Sequence, residues 1–179
     1  SKTLLAARIR PWLPPWSQRN VIGPLGAHYP NWNRLPRALR LKYFLLSLSM
    51  PFEQAYSHDK SFLFRPEVKS GLYTGDMSAV PNGNDPLSFF EPIFKRVRGQ
   101  DPLTQIMYVD FKTTLSNDML TKVDRMSMAN SLEVRCPLLH HRLIEFAARV
   151  PADVKYHGQT SKHLLKRYLE RWLPRELIY

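Results

Sequence analysis

The chain has 179 residues, of which 44% are hydrophobic and 23% charged, a balance that suits one sizeable core in one or two domains and excludes a disordered composition. A formal charge of +11 favours polyanionic partners such as phosphate-bearing ligands, or marks a basic piece of a larger protein whose other part is acidic. The single cysteine, Cys136, excludes an internal disulfide framework and a cysteine-built zinc site; no apolar run nears the ~20 residues of a membrane helix, the first residues lack a signal-peptide pattern, and a cytoplasmic protein is expected.

Taken in chain order, residues 1–35 form an arm rich in proline and tryptophan, with Pro11, Pro14, Pro15, Pro24 and Pro30 beside Trp12, Trp16 and Trp32. Proline fixes φ and removes a donor, so only a short helix over about 3–10 is predicted, followed by irregular chain whose tryptophans pack on a core. Pro36 suits a first helical position, and Leu39, Tyr43, Leu46 and Met50 fall near helical spacing. A short helix follows Pro51 with Phe52, Ala55 and Tyr56, and Arg65-Pro66 opens a further helical turn. Residues 74–86 read as a loop. Together 36–100 make a variable helical region. Asp85-Pro86 and Asp101-Pro102 repeat one start signal, a capping carboxylate before a proline. Leu87, Phe90, Phe94 and Val97 make an apolar stripe stopped at Gly99. The longest helical pattern begins at Leu103 and runs to about Ser116, and Asp118 starts the next helix. Glu133 to Pro137 is a short extended connection, 139–150 is helical up to Pro151, and Ser161 caps a last helix ended by Pro174. The predicted fold class is all-α, in one compact unit.

Three constellations bear on chemistry. In Asp118-Met119-Leu120-Thr121-Lys122-Val123-Asp124-Arg125, the residues Asp118, Lys122 and Arg125 share a helix face at spacings of four and three. That face can hold an acidic group between two cations, or be an internally paired, solvated surface. In Gly158-Gln159-Thr160-Ser161-Lys162-His163, a glycine turn leads to a helix whose first turn carries Lys162, an arrangement suited to a phosphate or to developing negative charge; a cap before a basic surface helix is the structural alternative. Glu133 and Arg135, two apart on an extended segment, point to one side and can pair with each other or with the preceding helix, a structural role being favoured. His140, His141, His157 and the lone His163 form no metal-ligand pattern, and no metal site is expected. No Walker loop, dinucleotide glycine fingerprint or nucleophile elbow occurs.

The stretch from Asp118 to Ala152 resembles the signature of the C-terminal synthetase domain of glutamine-dependent asparagine synthetases, D-x-L-x-K-x-D-R-x-S-M-x-x-x-L-E-x-R-x-P-F-L-D-x-x-x-x-E. The likeness continues through the lysine-bearing segment from Lys155 to Tyr179, so that it is strong over about residues 108–179 and weak over 1–100. It implies the helical part of an α/β nucleotide-binding synthetase domain, without its parallel sheet. It also implies an activity for the complete enzyme, in which a carboxylate, typically aspartate, is activated as an acyl-adenylate with ATP and Mg2+ and attacked by ammonia from an N-terminal glutaminase domain. Lys162 matches the lysine that stabilises charge on the α-phosphate. Lys122, Asp124 and Arg125 match the K-x-D-R positions that shape or brace the substrate and pyrophosphate side, while Asp118, Glu133 and Arg135 belong to the structural motif.

Several family features do not occur: the pyrophosphate-gripping S-G-G-x-D-S loop, the acidic G-[ED]-G-x-D-E segment and the glutaminase. In the P-F-L-D element, His140 replaces the acid and removes both a negative charge and a helix cap. The chain is thus expected to be an incomplete part of an ATP-dependent amidotransferase, inactive alone and with no ATP or Mg2+ bound to it. Its partners are expected to be the nucleotide-binding part, the glutaminase domain, a small-molecule carboxylate and, in self-association, a second copy. A non-catalytic helical interaction module is the alternative. A polyanion-binding domain ranks last, because no nucleic-acid motif occurs.

Overall fold

The computed structural model describes residues 2–30, 41–60, 71–75, 86–158 and 160–179. The expectations for Trp32, Pro36, Leu39, Arg65-Pro66, Asp85 and most of the 74–86 loop lie outside them. The described chain is helical with no strand; its one β-like feature is an isolated antiparallel bridge between His157 and Thr160. The all-α prediction holds. The chain divides into two compact units, Ser1–Lys112 and Thr113–Tyr179.

In the first unit, α1 (Lys2–Ile9) leads through a 3-10 turn, Arg10–Trp12, into helical chain rather than the irregular arm expected from the prolines. The run comprises α2 (Pro15–Ser17), a π-helical stretch Gln18–Ile22 and α3 (Gly23–His28). Each proline sits where the helix tolerates it. Pro15 occupies a first helical position, and Pro24 follows a widened turn in which the Gly23 amide bonds back to Gln18. Trp12 and Trp16 do not pack inward either, being 86% and 65% exposed.

Two more helices, α4 (Lys42–Ser49) and α5 (Phe52–Lys60), pack on this layer. Gly26 is buried against α4, where a Cβ would lie 3.1 Å from the Leu46 amide nitrogen and 3.2 Å from Leu45 Cβ. On the other side α5 meets α6 (Pro86–Lys95) and α7 (Pro102–Asp110). Here lies the unit's hydrophobic centre: Tyr56, Phe94 and Val109 are buried, with Phe52, Phe90, Ile93 and Ile106 around them. The Tyr56 ring meets Phe94 edge-on at 5.3 Å and Phe90 at 5.5 Å, the geometry aromatic quadrupoles favour. The Tyr56 hydroxyl donates to Asp110 Oδ1 at 2.6 Å, and Lys60 Nζ reaches the same oxygen at 2.6 Å, so a buried phenol and an ammonium satisfy one carboxylate.

The second start signal works as predicted. Asp101 Oδ1 accepts from the Thr104 amide at 3.0 Å, and Pro102 stands at the first helical position. The helix then does not end at Ser116. The backbone remains helical through a π-helical stretch, Phe111–Leu120, into α8 (Thr121–Ala129). Asp118 therefore lies inside a helix and caps nothing, because the backbone around Leu120 keeps helical angles.

After α8 come the extended connection through Arg135, a 3-10 turn Pro137–Leu139, α9 (His141–Arg149) and α10 (Ala152–Lys155). They are followed by α11 (His163–Leu169) and α12 (Arg175–Ile178). Helix α11 ends at Leu169, earlier than Pro174, which instead precedes α12. Among the described residues 113–179 no apolar side chain is buried: Leu143 and Phe146 of α9, Tyr168 of α11 and Trp172 are all exposed.

Candidate functional site

Asp118 and Lys122 are brought together, Oδ1 and Nζ lying 2.5 Å apart in an i,i+4 pair. Both side chains face water, 50% and 73% exposed, so the pair costs little desolvation and contributes at most about 1 kcal/mol. Arg125, three residues beyond Lys122, is exposed and enters no ion pair among the described residues. Asp124 is also exposed, but two residues from Lys122 on an α-helix turns it away from that face. Glu133 and Arg135 pair as their spacing suggests, Nε to Oε1 at 2.7 Å, on the exposed connection after α8.

The lysine segment is built differently from its prediction. Lys162 stands ahead of α11 as its N-cap residue, in the left-handed region at φ 56° and ψ 33°. The Ser161 side chain caps nothing, and the helix begins at His163. A left-handed backbone is uncommon for a residue with a Cβ and signals a turn held by its surroundings. Those surroundings are local. Gly158 is left-handed at φ 59°, His157 and Thr160 exchange backbone hydrogen bonds at 3.2 and 2.9 Å, and the rings of His157 and His163 meet with centroids 5.0 Å apart and planes tilted by 34°. The Lys162 carbonyl accepts from the Lys166 amide at 3.0 Å and opens the helix. The Lys162 side chain is exposed and, among the described residues, forms no ion pair and no hydrogen bond to either charged pair. No group of three or more His, Cys, Asp or Glu among the described residues could hold a metal ion.

The chemistry available is thus that of separated, hydrated cations: Lys162 at its turn, and Lys122 with Arg125 on α8. In water each acts weakly on a neighbouring anion; excluded from water, each would act far more strongly. The order D-x-L-x-K-x-D-R, the extended E-x-R and a lysine after a glycine turn combine this equipment along one chain. The family model for asparagine synthase matches residues 1–179.

The chain belongs to the asparagine synthase family. The match takes in residues 1–100 as well, where the sequence likeness is weak. Among the relatives, asparagine synthetase [glutamine-hydrolyzing] 1 of Bacillus subtilis is 28% identical over 147 residues, 80% of this chain and 22% of its own length. Asparagine synthetase [glutamine-hydrolyzing] 3 of the same organism is 39% identical over 75 residues, 42% of this chain and 12% of its own length. The chain therefore spans under a quarter of the length of the relatives it matches. No solved structure matches. No helix among the described residues is long and apolar enough to cross a membrane.

Sequence inspection missed three features. The π-helical stretch around Asp118 has no composition signal. The Tyr56–Asp110 bond joins residues 54 positions apart. The His157–His163 stack was within reach, since a glycine turn between two histidines brings the chain back on itself.

Proposed function

We propose that this chain is the lysine-bearing helical part of an ATP-dependent amide-forming enzyme. The complete protein would convert a carboxylate substrate, typically aspartate, to an acyl-adenylate and then to an amide with glutamine-derived ammonia. The observation that supports this is Lys162, a cation without an ion-pair partner among the described residues, held on a left-handed turn in a chain that the asparagine synthase family model matches over residues 1–179.

The chemistry needs such a cation twice. When the substrate carboxylate attacks the α-phosphorus, negative charge grows on the phosphoryl oxygens as pyrophosphate leaves. When ammonia attacks the acyl carbon, charge grows on the carbonyl oxygen before AMP leaves. A mobile ammonium answers both without a rearranged scaffold. Arg125 would meet the pyrophosphate or acceptor side, and Lys122 would stand beside it, braced by Asp118. Asp124, on another face, suits a bracing contact, and Glu133 with Arg135 stiffens the connection after α8. Mg2+ would arrive with the nucleotide; no metal step is assigned to residues of this chain.

The hydrated setting of these cations supports inactivity of the chain alone. Efficient charge stabilisation requires a covered site, and residues 113–179 expose apolar side chains that a further domain can cover. The partners proposed are a nucleotide-binding part, a glutaminase domain and, when these are absent, a second copy of the chain.

In the complete protein, Lys162→Ala is expected to lower amide formation on the order of 10^2- to 10^3-fold, with helical circular dichroism retained. Retained full turnover in that variant would sink the assignment. An S-G-G-x-D-S segment in the coding sequence ahead of Ser1 is expected; a start codon with nothing before it would favour the non-catalytic module.

A further inference from the structure

We propose that His163 is a positioning residue for Lys162, acting through its ring stack with His157. The inference rests on the reading of Lys162 as the charge-stabilising cation, but the geometry behind it stands by itself. The segment folds back at Gly158, and the backbone bonds between His157 and Thr160 close the first half of the loop. Those bonds stop short of Lys162, whose left-handed angles they do not fix. The next constraint along the chain is the half-buried imidazole of His163, lying on that of His157 at 5.0 Å and 34°. The stack ties the first residue of α11 back to the start of the loop. A left-handed Lys162 directly before His163 accommodates that contact.

No side-chain cap holds the start of α11; Ser161 would be the natural candidate and does not act. The ring pair therefore takes the place of a cap and sets where the chain presents the lysine. Its role is a ring contact, which a phenylalanine in place of the imidazole can also make.

Two measurements test this. In the 179-residue chain, the left-handed backbone of Lys162 gives a strong intraresidue amide–Hα cross-peak in NOE spectra. That peak should persist in His163→Phe and weaken to the helical level in His163→Ala. A left-handed Lys162 in His163→Ala would overturn the proposal. In the complete protein, His163→Ala should lower kcat on the order of 10- to 100-fold with the KM for ATP little changed, and His163→Phe should restore most of it. Equal losses in both variants would overturn the positioning role. His163→Ala should add little to the loss in Lys162→Ala. Full turnover in Lys162→Ala alone would instead remove the catalytic role of the lysine, while the cross-peak would still report whether the stack holds the turn.

Discussion

At the residue scale, what a charged side chain does here is decided by its exposure. Lys122 carries the spacing of a site residue, yet its bond to Asp118 is made in water and can be broken at small cost. His140 shows the converse. It occupies the N-cap position of α9 with extended angles, and its side chain bonds to no free amide of the helix. His140→Asp is expected to raise stability by about 0.5–1 kcal/mol, by supplying an acceptor and a negative charge at the helix start, as read from chemical denaturation. Tyr179 gives a pH dependence. Its hydroxyl donates to Glu170 Oε1 at 2.9 Å, and this bond to a carboxylate, above all, raises the phenol above its ordinary value. A raised folded-state value means that the contribution is complete below the ordinary phenol range of about 10 and is lost as pH rises through the folded value. NMR titration should find Tyr179 ionising later than a free tyrosine, and Glu170→Gln should bring it back.

At the scale of the element, helix contacts depend on a few tight places. Gly26 lets α3 approach α4 so closely that an added methyl would press on the Leu46 amide nitrogen and Leu45 Cβ, neither of which is the end of a flexible chain. Alanine favours a helix by about 1 kcal/mol over glycine, and the crowding is expected to outweigh that gain. Gly26→Ala should therefore destabilise by about 1–3 kcal/mol net, seen as a lower midpoint in urea unfolding. The helix from Pro102 to Ala129 offers a second lesson at this scale. Its start is written in Asp101-Pro102, but Asp118, read as another start, sits within it. A carboxylate before an apolar run signals a cap only where the preceding backbone leaves the helix, and here it does not.

At the scale of the whole molecule, the two units differ in what stabilises them. Residues 1–112 contain the buried cluster of Tyr56, Phe94 and Val109, whereas the described part of 113–179 buries no apolar side chain. Phe94 is fully buried, and Phe94→Ala should cost about 3–5 kcal/mol. Hydrogen exchange should show that loss in α5, α6 and α7, with α9 and α11 little affected; equal loss in all of these helices would contradict the division. The described part of 113–179 instead exposes large apolar side chains, Leu143, Phe146, Tyr168 and Trp172 among them.

The sequence by itself determined the helical class, the Asp101-Pro102 start and the family motif, whereas the stop it placed at Gly99 comes earlier, at Lys95. These depend on local propensity, on spacing and on the identity of neighbours. Tertiary structure alone decided that the proline-rich start is helical, because helices tolerate prolines at particular turns that composition does not reveal. It also decided that Tyr56 and Asp110 meet, since closing a long loop leaves no trace in local pattern. The left-handed turn at Lys162 belongs to both. Its glycine and histidines are legible in the chain, but only their folding back on one another puts the lysine outside the helix that its sequence seemed to place it in.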